Sequence, residues 1–144
     1  MEGKTKTPPV TSRHAVLLFF TSASVLAYEI VLMRLLSIGF WTHFAYMVIS
    51  LALLGFGAAG SFLFLLSRRV YGNMDAWLVL LAGAASLSFP LAFSLAKEIG
   101  LDPLQLVWQS AEWFKMFATY LVMAIPFLLS GGIVGIILSA AGRD

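Results

Sequence analysis

The stretch that decides the fold is Ala15–Leu36, AVLLFFTSASVLAYEIVLMRLL. Its 22 residues are apolar except for a few hydroxyls, Glu29 and Arg34. About 20 apolar residues are needed to cross the hydrocarbon core of a bilayer. The basic arm before it suggests a signal peptide, but the apolar run continues through Glu29 to Leu36, so a retained membrane helix is expected. An ionised side chain at that depth costs roughly 2.5–3.5 kcal/mol on insertion scales, which makes Glu29 a candidate functional group by default.

The rest of the chain repeats the pattern. Of 144 residues, 60% are hydrophobic and 11% charged, against about 25% charged in soluble domains, and mean hydropathy is +0.94. The expected fold is all-α and integral to the membrane. Four spans are expected, at about 15–36, 44–66, 76–96 and 116–141, after an N-terminal arm over residues 1–14. The second stops at Ser67-Arg68-Arg69, and the third is closed by Lys97-Glu98 and Gly100. Pro126 should kink the fourth by removing one backbone donor. Between the third and fourth, Asp102, Pro103 and Gln105 form a helix start. Leu104, Val107, Trp108, Ala111 and Phe114 then recur at helical spacing, with Gln105, Gln109 and Glu112 opposite. This pattern predicts a short amphipathic helix at about 103–114, lying in the membrane interface.

Basic residues set the orientation. Lys4, Lys6, Arg13, Arg68, Arg69 and Arg143 fall on one side of the four spans, and Arg34, Lys97 and Lys115 on the other. The excess places both termini in the cytoplasm. The net charge of +2 is small and its carriers lie near helix ends, so nucleic acid is not an expected partner. With no cysteine in the chain, disulfides, thiolate metal sites and cysteine nucleophiles are excluded. The two histidines, His14 and His43, fall at opposite ends of the first hairpin and cannot clamp one haem. No catalytic constellation, metal set or cofactor motif emerges, and no cofactor is expected.

Two groups of residues carry what functional information there is. At 100° per residue, Glu29 and Arg34 are about 140° apart on their helix, so they do not form a good pair within it. Trp41, Thr42, His43 and Tyr46 open the next span and come level with them in an antiparallel hairpin. The expected polar cluster is therefore Tyr28, Glu29, Arg34, His43 and Tyr46. Glu29 is either a packing residue that stitches the first two helices together, or a group that carries protons or ligand. The second group comprises small residues four apart: Gly55 with Ala59, Gly57 with Ser61, the Ala84–Ser88–Ala92–Ala96 stripe, and Gly131, Gly135 and Ser139. Such ladders let helix backbones approach closely, within the chain or against another.

Ala27-Tyr28-Glu29 followed by Arg34-Leu35, the Trp41-Thr42-His43-Phe44 turn and Leu53-Leu54-Gly55-Phe56-Gly57 resemble the first hairpin of the multi-spanning spermidine-synthase-like membrane proteins of bacteria. The resemblance covers Ala27 to Ser61. It implies a bacterial inner-membrane protein, and in that family the helices usually precede a soluble Rossmann domain related to aminopropyl transferases. Nothing within the 144 residues supplies that domain's acidic nucleotide-binding turn. Two functions are accordingly expected: a non-catalytic subunit or membrane domain in contact with lipid and with other membrane proteins or itself, or a small cation/proton exchanger using Glu29. The membrane part of a split transferase is a third.

Overall fold

The computed structural model of the chain describes residues 12–39, 45–99 and 110–142. Four helices account for almost all of them: α1 (Ser12–Gly39), α2 (Ala45–Gly72), α3 (Met74–Ile99) and α4 (Ser110–Ala141). All four are long and apolar enough to cross a membrane. The chain is thus an all-α, multi-pass membrane fold. At 1.5 Å per residue, a helix of 28 residues such as α1 or α2 is about 42 Å long. This exceeds the roughly 30 Å hydrocarbon core, and the surplus turns reach into the headgroup layers.

Helix ends explain most departures from the expected spans. α2 runs on through Arg68-Arg69 to Gly72, and α3 follows after the single residue Asn73. The Asn73 carbonyl accepts from the Trp77 N–H at 3.2 Å, the bond that an N-cap residue makes. Asp75 in the first turn of α3 complements the helix dipole. α4 begins at Ser110, so residues 110–114 of the expected interfacial helix belong to the fourth span, while 103–109 lie outside the described residues. Glu112, expected on the water-facing side of that segment, is instead 3% exposed and paired with Lys115 at 2.7 Å.

α4 is the centre of the bundle. Of its most apolar window 56% is buried inside the protein, against 17–22% for the other three helices. α1, α2 and α3 each pack on α4, and α1 also packs on α2, whereas α2 and α3 scarcely touch. Glycine makes this possible. A Cβ on Gly55 would lie 2.5 Å from the Phe127 Cβ, and one on Gly131 would lie 3.1 Å from the Ala59 Cβ. One on Gly135 would lie 2.5 Å from Leu63 Cδ1. Gly55, Ala59 and Leu63 thus meet Phe127, Gly131 and Gly135 in order, four residues per step on both helices. α2 and α4 therefore run in the same direction along a seam where backbones nearly touch, the way small residues hold membrane helices together.

The core divides along α4. Its N-terminal half packs Met123, Ala124 and Phe127 with Val25, Leu32 and Leu36 of α1 and Val48 and Leu51 of α2. Its C-terminal half packs Ile133, Ile136, Ile137 and Ala140 mainly with Met74, Leu78 and Ala85 of α3. α1 thus grips α4 at one end of the bundle and α3 at the other. We call the end that carries the start of α1 and the close of α4 the terminus side, and the other the far side.

Candidate intramembrane polar site

Val25, Leu32 and Leu36 define the buried stripe of α1. Tyr28 and Glu29 flank that stripe on opposite sides, about 100° apart, because they are consecutive residues. The Tyr28 ring turns towards α3 and α4. It packs edge-on against Phe89 at 4.9 Å between centroids and tilts against Phe127 at 5.3 Å. Its hydroxyl is buried and has no hydrogen-bond partner among the described residues. Glu29, just past the middle of α1, is half-buried. Arg34 is exposed on the opposite face of the helix from Leu32 and Leu36.

The expected cluster is therefore dispersed where it is described. Tyr28 belongs to the aromatic core, Glu29 to the flank of α1 and Arg34 to its outer surface. No hydrogen bond or ion pair joins Glu29 or Arg34 to another described residue. His43 lies outside the described residues; Tyr46 lies in the first turn of α2, and its side chain is likewise outside them. The tyrosine that engages the start of α2 is Tyr120, whose hydroxyl donates to Met47 Sδ at 2.7 Å. Nothing in the sequence around Tyr120 marks that contact, which depends on the register between α2 and α4.

The small-residue ladders separate into two kinds. Gly55, Ala59, Gly131 and Gly135 form the α2–α4 seam, and Ser88 and Ala92 of the third ladder are buried. Ser139 is half-buried and donates to the Ile136 carbonyl at 3.0 Å. Gly57 and Ser61 point away from the bundle. A Cβ on Gly57 or on neighbouring Gly60 would meet nothing within 4 Å, and Ser61 donates back to the Gly57 carbonyl at 3.1 Å.

Most hydroxyls for which a bond is described are satisfied by their own helix in this manner. Ser86, Ser88 and Thr119 donate to the carbonyls of Ala82, Ala85 and Lys115 at 2.7–2.9 Å. Ser130 is different: 1% exposed, its Oγ has no partner among the described residues. It lies on α4 beneath a cleft of about 150 Å³ between α1 and α3, with Thr21, Ser24 and Ser86 on the walls. Nothing in the sequence marks these four hydroxyls, because serine and threonine are common inside membrane helices and their grouping depends on how α1, α3 and α4 pack.

Ionisable groups supply little further chemistry. His14 Nε2 lies 3.2 Å from Asp75 Oδ1, joining the starts of α1 and α3 on the terminus side. Among the described residues, no three histidines or carboxylates converge as metal ligands would. No family model, curated protein or solved structure matches the chain.

Proposed function

We propose that this chain is a non-catalytic membrane subunit or membrane domain that packs against further helices in a larger membrane assembly. The outward face of α2 carries the argument. Gly57, Gly60 and Ser61 leave a strip of bare backbone that no other described residue approaches. Glycine inside a helix costs about 1 kcal/mol relative to alanine, and a lipid-facing position gains nothing in return. A neighbouring helix does gain, because it can come close, as α4 does along Gly55 and Ala59. The resemblance of Ala27–Ser61 to the first hairpin of the spermidine-synthase-like membrane proteins supports the same reading, as a membrane domain of that type. The excess of basic residues on the terminus side favours both ends in the cytoplasm, and the resemblance favours a bacterial inner membrane.

Native mass spectrometry of the protein, gently extracted from its own membranes, tests this. The expected result is a 15.7 kDa chain within a heavier complex. A lone monomer under conditions that preserve other membrane complexes would overturn it.

One observation favours a second reading. Glu29 is a half-buried carboxyl near the middle of a spanning helix, with no partner among the described residues. A small cation/proton exchanger would use such a group. A self-dimer with nothing else bound, together with pH-linked cation uptake lost in Glu29→Gln, would move the assignment there.

A further inference from the structure

α1 and α3 are joined at two levels, by His14–Asp75 on the terminus side and by the Tyr28–Phe89 ring contact near mid-membrane. Between those levels the helices part over the cleft above Ser130. At this depth α4 packs mainly on α3, and α1 adds only the part-buried Leu17 and Leu18 to that core. The α1 residues of the cleft, Leu17 to Ser24, begin five residues into that helix, or about 8 Å from its start. The cleft thus occupies the terminus-side half of the membrane.

Two features make it a poor place for hydrocarbon. The first is Ser130 Oγ, almost wholly buried, lining the cleft and without a partner. The second comes from Pro90 in α3. Proline has no N–H, so the carbonyl four residues earlier, that of Ser86, loses its helical donor. Ser86 is a wall residue. A buried hydroxyl with no partner among the described residues and a carbonyl deprived of its helical donor are both costly beside acyl chains, with no bulk water at that depth to satisfy them. Thr21, Ser24 and the Ser86 hydroxyl add further polar atoms to the same walls. A water requires roughly 10–15 Å³ of such space and two or more polar partners. About 150 Å³ therefore holds several.

We propose that this cleft is a water-binding recess, hydrated from the terminus side past His14 and Asp75 and ending at the Tyr28–Phe89 pair. Asp75, 81% exposed, lies at the terminus-side end of α3, two turns before the first α3 residue of the cleft, so water reaches that end. The waters bridge Ser130 Oγ, the Ser86 carbonyl and the hydroxyls of Thr21 and Ser24. The aromatic pair closes the inner end, because two packed rings offer water no hydrogen bond.

The absence of cysteine permits a clean test. Single variants Ser24→Cys, Ser86→Cys and Ser130→Cys of the full chain, in sealed vesicles of known orientation, are exposed to a charged, membrane-impermeant methanethiosulfonate. Leu26→Cys and Leu87→Cys, on the exposed apolar faces of the same helices, are the references. The thiolate attacks the sulfenyl sulfur of the reagent, forming a mixed disulfide and releasing methanesulfinate; because the thiolate forms only where water reaches, cleft positions should react at least about tenfold faster than the references. Reaction should come from the terminus side alone. Equal, slow labelling of cleft and reference positions would show that acyl chains fill the cleft and would overturn the proposal. If Ser130→Cys does not accumulate, Ser24→Cys and Ser86→Cys decide, since both native residues are exposed and their replacement disturbs no packing.

Discussion

Gly55 of α2 lies against Phe127 of α4 so closely that a single added carbon on Gly55 would come within 2.5 Å of the Phe127 Cβ and 3.0 Å of the Leu128 backbone nitrogen. The contact is the first step of the seam that joins α2 to the central helix α4. Neither opposing atom is the loose end of a side chain, so the helices themselves must separate to admit a methyl group. Gly55→Ala should therefore destabilise the fold by about 1–3 kcal/mol, in the range for overpacking a tight core. Gly57→Ala, two residues away and facing outward, should instead be neutral or stabilise by about 0.5–1 kcal/mol through helix propensity. Unfolding of the two variants in mixed micelles with increasing dodecyl sulfate would check the contrast, and equal effects would refute the seam.

The same seam predicts a graded response. A Cβ on Gly135 also falls 2.5 Å from a neighbour, but that neighbour is Leu63 Cδ1, the tip of a side chain that is half-buried. A rotamer change relieves the clash, so Gly135→Ala should cost less than Gly55→Ala, about 1 kcal/mol or below. The same unfolding assay orders the two.

Gly57 is also where assembly and folding come apart. Gly57→Leu places a large side chain on the outward strip, where nothing in the chain obstructs it. The isolated protein should fold as well as the parent. Copurification with partner chains should fall by an order of magnitude or more, since about 1.4 kcal/mol of lost packing is already a factor of ten. Unchanged copurification would remove this face from the proposed interface.

Tyr28 makes a claim about its ring rather than its hydroxyl. The hydroxyl has no partner, while the ring touches Phe89 and Phe127. Tyr28→Phe should be neutral or mildly stabilising, because it removes an unsatisfied polar atom without opening a void. Tyr28→Ala leaves a cavity among three helices and should cost on the order of 2 kcal/mol or more. Thermal stability in detergent would separate them; a large loss in Tyr28→Phe would mean that the hydroxyl is bonded after all.

Much of the fold was legible because the bilayer imposes a length that hydropathy reveals directly. The four spans, their order and the small-residue ladders follow from that constraint. What was not legible depends on register. Gly55/Ala59 and Gly57/Ser61 are equivalent patterns in a linear sequence, and only the fit of α2 on α4 decides that one is buried and the other bare. The centrality of α4 did leave a trace in the sequence, since it is the most apolar of the four helices. Tyr28, Glu29 and Arg34 look like one cluster along the chain, yet successive steps of about 100° send them to three different surroundings. Pro90 and Ser130 acquire meaning only once the fold sets α1, α3 and α4 around one cleft.

Glu29 offers the sharpest remaining test, because stability and function should respond in opposite directions. A half-buried carboxyl with no described partner contributes no attraction that offsets its removal from water. Glu29→Leu should therefore leave the isolated chain as stable as the parent, or more stable by about 1–3 kcal/mol, the scale of the insertion penalty it relieves. If Glu29 instead stitches α1 to α2 through bonds of its own, the same substitution destabilises by a similar amount, since a lost buried bond to a charged group is worth about 1.5–3 kcal/mol. Glu29→Gln separates the two further: it keeps the shape and the hydrogen-bonding capacity but cannot carry a proton. A chain stabilised by Glu29→Leu and disabled by Glu29→Gln keeps its glutamate for what the carboxyl does, and not for how it packs.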